Sequence, residues 1–287
     1  MSCRPFSARG HVVRHHQTHG AAPAVTDLEQ LQAIAKRIEI HPIGLVAPLQ
    51  WLWRGLCDLR AQPWIALFYG VCFWGMALVV SAVFKNSPEY TLSAISGSLL
   101  LGPFLAMGLY DVSMHLERGE RPSFRSSLTC WKSHMGSMSM LVLVVLLLEL
   151  LWGRASLVVF AVFFNTGGLP STATALDAVL NPENWEFVAA YVCVGGFFAG
   201  LVFATMMVSI PMILDRDTDA ITAGITSLRV FFDRTAVAVW WGALITLLVG
   251  LAMWPSAAGL LVVGPWLGFA SWHAYRGAVH VTDGDVA

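Results

Sequence analysis

The run 235-TAVAVWWGALITLLVGLAMWPSAAGLLVVGPWLGFASW-272 holds 38 consecutive uncharged residues. A helix rises 1.5 Å per residue, so about 20 apolar residues cross a hydrocarbon core of about 30 Å. The run is too long for one crossing and suffices for two, with Trp254-Pro255-Ser256 supplying the turn between them. It predicts a tight hairpin of two spans, 235–253 and 256–273, and sets the pattern for reading the rest of the chain.

Working upstream, Trp64–Phe84 and Thr91–Tyr110 are uncharged and are separated by the polar break Lys85-Asn86-Ser87-Pro88-Glu89. They predict an earlier hairpin, with spans at 64–84 and 91–110. Met138–Phe164 is apolar apart from Glu149 and Arg154. At this length it must tilt or break, and Gly153 is the place where a break is expected. Phe187–Leu214 is uncharged, and Asn181, Pro182, Glu183 and Glu186 before it suit a helix start, where a cap, a proline and negative charge are all favoured. The sequence therefore predicts an all-α, polytopic membrane helix bundle of six transmembrane helices. Residues 1–40 read as a flexible extension, 41–279 as the membrane domain and 280–287 as a tail.

Composition agrees. Of 287 residues, 56% are hydrophobic and 12% charged, against about 25% charged in an ordinary soluble domain. The net charge of −1 gives no basic excess of the kind that draws nucleic acid. Cys3, Cys57, Cys72, Cys130 and Cys193 form no CxxC pair, so neither a disulfide framework nor a zinc site is expected. Residues 1–30 contain no apolar core of a cleavable leader, so insertion is expected to rely on the first span.

Position matters more than total charge. Residues 1–63, 111–137, 215–234 and 273–287 hold 15 of the 17 Lys and Arg, leaving Lys85 and Arg154 for the other side. Cytoplasmic segments are the ones enriched in basic residues near spans, so both termini are expected in the cytoplasm. Trp51, Trp53, Trp64, Trp152, Trp185, Trp254 and Trp272 fall near the expected interfaces, where indole rings favour the headgroup level.

A threefold pattern runs beneath this map. Leu52, Leu56, Leu59 and Pro63 precede span one, Phe124, Leu128, Trp131 and Met135 precede span three, and Ile221, Ile225, Leu228 and Phe232 precede span five. Each set has i, i+4, i+7, i+11 spacing, and Arg60, Arg125, Lys132, Arg229 and Arg234 lie among them. Such segments suit helices in the inner-leaflet interface with basic groups toward anionic headgroups. Each even span carries a proline: Pro103, Pro211 and Pro265. Three copies of one unit, an interfacial helix followed by a hairpin, account for the pattern. So does the general frequency of amphipathic lead-ins and prolines in membrane helices.

The residues LGPFLAMGLY (101–110) with ERGE (117–120), Ser209-Ile210-Pro211 with Asp215-Arg216-Asp217, and Trp272-His273-Ala274-Tyr275-Arg276 together resemble a bacterial family of predicted integral membrane proteins, domain of unknown function 2189. The resemblance extends from about Ile40 to Val279, and it implies a topology in the bacterial cytoplasmic (inner) membrane rather than an activity. Some members are labelled as cytochrome c oxidase subunits. Haem and copper there would need histidines at membrane depth, yet none of the nine histidines lies in the middle of a span. Where the family often has a further histidine before the Trp-His-Ala-Tyr-Arg run, this chain has Phe269.

Intramembrane ionisable groups are the first candidates for chemistry, because they are costly unless paired or hydrated. Glu149 stands near the middle of span three, as a proton or cation site, as a partner for a neighbouring helix, or simply displaced toward the interface. Asp111, Asp215 and His273 follow Pro103, Pro211 and Pro265 at the cytoplasmic ends of the even spans. With Tyr110, His115, Arg216, Tyr275 and Arg276 they are placed to form a polar cluster at the inner mouth, for a headgroup, an ion or a partner. They also serve as ordinary stop residues where helices meet water. His11, His15, His16 and His19 would suit weak metal binding or an incidental tail. Gly196 with Gly200, and Gly264 with Gly268, have the spacing of close helix packing. The chain has no nucleophile elbow, HExxH, phosphate loop or dinucleotide fingerprint, and no cofactor is expected.

Three readings follow, in order. The first is a noncatalytic protein that organises, assembles or binds envelope components, with membrane lipids, other membrane proteins or its own copies as partners. The second is a transporter or channel using Glu149 or the inner-mouth cluster, and the third an oxidase-associated redox subunit.

Overall fold

A computed structural model describes residues 38–40, 44–86, 90–164, 184–254 and 256–281. The N-terminal histidines, the 165–183 loop and the expected Asn181–Glu183 helix start lie outside them. In chain order the elements are β1 (Ile38–Ile40), α1 (Ala47–Ala61), α2 (Pro63–Asn86), α3 (Thr91–Glu117), α4 (Phe124–Thr129), α5 (Met135–Phe163), α6 (Trp185–Arg216), α7 (Ala220–Asp233), α8 (Thr235–Ala252), α9 (Leu260–Ala278) and β2 (Val279–Val281). A 3-10 segment, Cys130–His134, joins α4 to α5. The fold is all-α apart from β1 and β2, which pair antiparallel with Glu39 opposite His280. That ribbon draws the edges of the expected extension and tail against each other.

Among the described residues, five helical stretches are long and apolar enough to cross a membrane: Pro63–Asn86, Ala94–Glu117, Phe124–Phe163, Trp185–Arg216 and Thr235–Ala252. The expected sixth, α9, is a helix of 19 residues but falls outside that set. The reason lies in its position. It packs against α1, α2, α3, α6 and α8 and carries Ser271, His273, Tyr275 and Arg276 toward those neighbours, so it is less apolar than the spans α2, α6 and α8. The hairpin turn before it uses Ser256 and Ala257 at φ of 55° and 56°, and the indole of Trp74 donates to the Ser256 carbonyl at 3.1 Å.

The expected break at Gly153 does not occur. α5 runs unbroken through it for 29 residues, about 43 Å at 1.5 Å per residue, so its excess length is taken up as tilt or overhang. Gly153 stays helical because nothing in the sequence around it removes a backbone donor, as a proline would.

Three successive units of a short helix and two long ones are present, and they interlock. Each short helix packs on the second long helix of another unit: α1 on α9, α4 on α3, α7 on α6. The ring closes because α1 reaches back to the last helix. Two of these crossings depend on glycine. A side chain at Gly55 would place Cβ 2.6 Å from the Ala270 amide nitrogen, and one at Gly108 would run into the Tyr69 hydroxyl and the Ser127 carbonyl. Gly108 and Ala270 each stand five residues after their helix proline, Pro103 and Pro265. The third crossing uses a hydroxyl instead: Ser227 Oγ donates to the Ala204 carbonyl at 2.6 Å and accepts from the Val208 amide at 3.1 Å.

The apolar stripes of the short helices do not all face the same way. In α7 the buried face is Ala220, Ala223, Ser227 and Val230, and Ile221, Ile225 and Phe232 are exposed. In α1, Leu52 of the stripe is buried instead. α7 thus presents its grease outward, as a helix lying in an interface does. Gly264 and Gly268 meet Phe73 and Leu109, as close packing requires, whereas Gly196 and Gly200 face open space.

Candidate functional site

The C-terminal ends of α3, α6 and α9 come together as charged residues that answer one another. α3 runs seven residues beyond the expected end of its span, to Glu117, which brings that carboxylate level with the last turns of α9. The Trp272 indole donates to Glu117 Oε2 at 3.0 Å, and Arg276 Nε donates to Oε1 at 3.2 Å. Both carboxylate oxygens are thereby occupied.

Asp215, in the last turn of α6, is held more densely. The Tyr275 hydroxyl donates to Oδ2 at 2.8 Å and accepts from Arg216 Nε at 3.2 Å. Arg276 approaches Oδ2 at 3.6 Å, Arg216 at 3.7 Å, and Arg118 approaches Oδ1 at 3.9 Å. Asp217 ends α6 in the left-handed region at φ 54° and pairs with His134 at 3.2 Å. Arg276 therefore bridges Glu117 of α3 and Asp215 of α6, pinning three helices with one planar group whose several donors suit this task.

His273 belongs to a separate knot. Its Nε2 lies 2.9 Å from Asp58 Oδ2, and Ser113 Oγ donates to that same oxygen at 2.7 Å. The knot ties α1 to α3 and α9. Serine, acid and histidine are the components of a hydrolytic triad, but the connectivity is wrong for one. Nucleophile activation requires the imidazole to touch the hydroxyl, and here both bind the carboxylate instead. Asp58 and Ser113 were missed by sequence reasoning. The available signal was that Asp58 is the sole acid in α1.

Asp111 does not join the network. It sits eight residues past Pro103 on the face of α3 covered by α4, beside Ser126, with His115 Nδ1 3.6 Å from its Oδ1. Its residue exposure is 3%, and its Oδ2 has no hydrogen-bond partner. Tyr110 is buried in the main apolar cluster with Met107, Met114, Trp272 and Tyr275.

Glu149 is separate from all of these. It lines a shallow crevice of about 160 Å³ between α3 and α5, with Ser96, Leu100, Val142, Val145 and Leu146. Of the five candidates, Asp215 and Arg276 meet directly, His273 stands beside them on α9 in its own knot, and Asp111 and Glu149 each stand apart. Among the described residues no group of three or more His, Cys, Asp or Glu is arranged to hold a metal ion.

One element outside the spans shows how charge is managed at this end. Asp219 caps α7, accepting from the Thr222 amide at 2.9 Å. Burial pushes its carboxyl upward, but the amides of Thr222 and Ile221 outweigh that and hold it below the usual aspartate range.

The family described as predicted integral membrane protein (domain of unknown function 2189) matches residues 91–215. The match runs from the first residue of α3 to Asp215, less than half of the chain, and so covers the first of the three quoted motifs and the second as far as Asp215. It leaves out α1, α2 and everything after α6. No curated protein and no solved structure matches the chain.

Proposed function

We propose that this integral membrane protein is a noncatalytic component of the bacterial cytoplasmic membrane, one that organises or binds other envelope components. The observation that carries the reading is the saturation of the inner-mouth network. Both oxygens of Glu117 are taken, and Asp215 is contacted by Tyr275, Arg276, Arg216 and Arg118. A site built to bind or move a charged substrate keeps donors or acceptors free for it, whereas groups that satisfy one another fix helices in place. The crevice at Glu149 is shallow and otherwise lined by Ser96 and four aliphatic side chains, which is not the water-lined route a transporter needs.

The same reading makes α9 the sixth span and places both chain ends in the cytoplasm. The basic segments support it, since they flank the ends where α3, α6 and α9 converge, and β1 meets β2 directly after α9. Lipids are the first partners: α7 turns Ile221, Ile225 and Phe232 outward, as an interfacial helix does.

Three experiments test the proposal. Reporter fusions at Ser126 and Ala223 should behave as cytoplasmic and those at Ser171 and Ala257 as noncytoplasmic; a reversal at any of them overturns the topology. After mild solubilisation of native membranes the chain should run in an assembly larger than its own 31.2 kDa. Vesicles containing the pure protein should leak protons and alkali cations no faster than empty ones. A lone chain together with clear ion flux would replace this reading with transport.

A further inference from the structure

Asp111 poses a problem that the network does not solve. It is a carboxylate at 3% exposure, near the end of a membrane-crossing stretch, and one of its oxygens has no partner. A buried unpaired charge costs several kcal/mol, so something must answer it.

The neighbouring hydroxyls are poorly placed to do so. Gly108, one turn before Asp111 on the same face of α3, lies against the Tyr69 hydroxyl and the Ser127 carbonyl. Tyr69 spends its hydrogen on Ser127, whose carbonyl and Oγ both lie 3.1 Å away. Ser127 Oγ spends its own on the Phe124 carbonyl at 3.1 Å. Ser126 stands beside Asp111, and still Oδ2 is bare. His115 Nδ1 stands 2.7 Å from the carbonyl of Asp111 itself and 3.6 Å from Oδ1, so it serves the other side of the residue. Arg118 is turned to Asp215. The hydrogens of the Tyr69 and Ser127 hydroxyls therefore point away from the bare oxygen.

We infer that Asp111, with the hydroxyl oxygens of Ser126 and Tyr69 under the cover of α4, forms a binding site for a small monovalent cation of sodium size. Oxygen-only donors suit a hard alkali ion, and the single carboxylate matches one positive charge. The site goes beyond the proposed organising role, since it concerns a group that takes no part in the Glu117–Asp215 network. Its occupant would lock α4 and Ser126 onto α3.

The test uses the full-length protein in detergent at pH 8, where ordinary imidazoles are uncharged. Thermal unfolding is followed as sodium chloride replaces choline chloride at constant ionic strength. The midpoint should rise saturably, by about 3 °C at tenfold excess over the dissociation constant. Asp111→Asn keeps the shape and removes the charge, so it should fold in choline at least as well as the wild type and lose the sodium response. Ser126→Ala should shift the response to higher sodium. A wild-type midpoint indifferent to sodium overturns the site, as does a response that survives in Asp111→Asn. A midpoint that rises only on acidification shows that Oδ2 holds a proton, which also overturns it.

Discussion

Asp111 and Asp215 look alike in the sequence: each is an acid a few residues past a proline, at the end of an even-numbered span. In the structure one is the most heavily contacted carboxylate of the bundle and the other has an oxygen with nothing to bind. The difference is one of register. Asp111 lies eight residues past Pro103 and Asp215 four past Pro211, and four residues add about 40° of rotation and about 6 Å of rise to a helix. That offset turns Asp215 toward α9, where Tyr275 and Arg276 wait, and Asp111 toward α4, which brings only hydroxyls. Two identical groups thus carry opposite expectations: one holds helices together, and the other burdens the fold unless something fills the gap.

The sharpest way to break this comparison is to neutralise the two acids separately. Asp215→Asn should strip Tyr275 and three arginines of their shared negative charge and lower stability by about 2–3 kcal/mol, read as a fall in the denaturant midpoint in micelles. Asp111→Asn in choline should show no such loss. Equal losses from the two would mean that saturation is not what separates the sites.

A smaller effect belongs to Asp219, a third acid at the same end that caps α7 through the Thr222 amide. Asp219→Ala should cost about 1 kcal/mol. Because its folded carboxyl titrates below the usual range, that contribution is complete above the unfolded value and fades as pH falls through the folded one. Stability curves of wild type and variant should therefore converge in acid; parallel curves down to pH 2 would refute the capping account. The smallest effect is expected at Glu149, where Glu149→Gln should leave folding within about 0.5 kcal/mol of wild type. It removes no ion pair, and a large change would identify a partner for that carboxylate.

Helix positions were largely legible in the sequence, because a backbone in oil must satisfy its own hydrogen bonds, and long apolar runs announce where it does so. Which faces meet protein was not legible. Lipid tails are as apolar as leucine, so hydropathy does not tell Leu109, fully buried, from Val162, fully outward. The same blindness applies to α7, whose regular apolar stripe reads as a core face and turns away from the bundle. α9 shows the converse: its polar residues lower its apolarity because it is the helix most enclosed by others. Where α6 and α9 end together, the convergence of Asp215 and Arg276 could be anticipated from their places at span ends. Asp58, Ser113 and Tyr69 could not, since their roles depend on crossings between helices far apart in the chain.

The closed ring carries a consequence for biosynthesis. α1 rests on α9, and β1 on β2, so the first described segments of the chain are completed by the last. A ribosome delivering this protein into the bilayer must leave the cradle of α1 empty until α9 has been made. Closure then waits on that helix, and the nascent intermediates keep Trp51, Leu52 and Gly55 uncovered until it arrives.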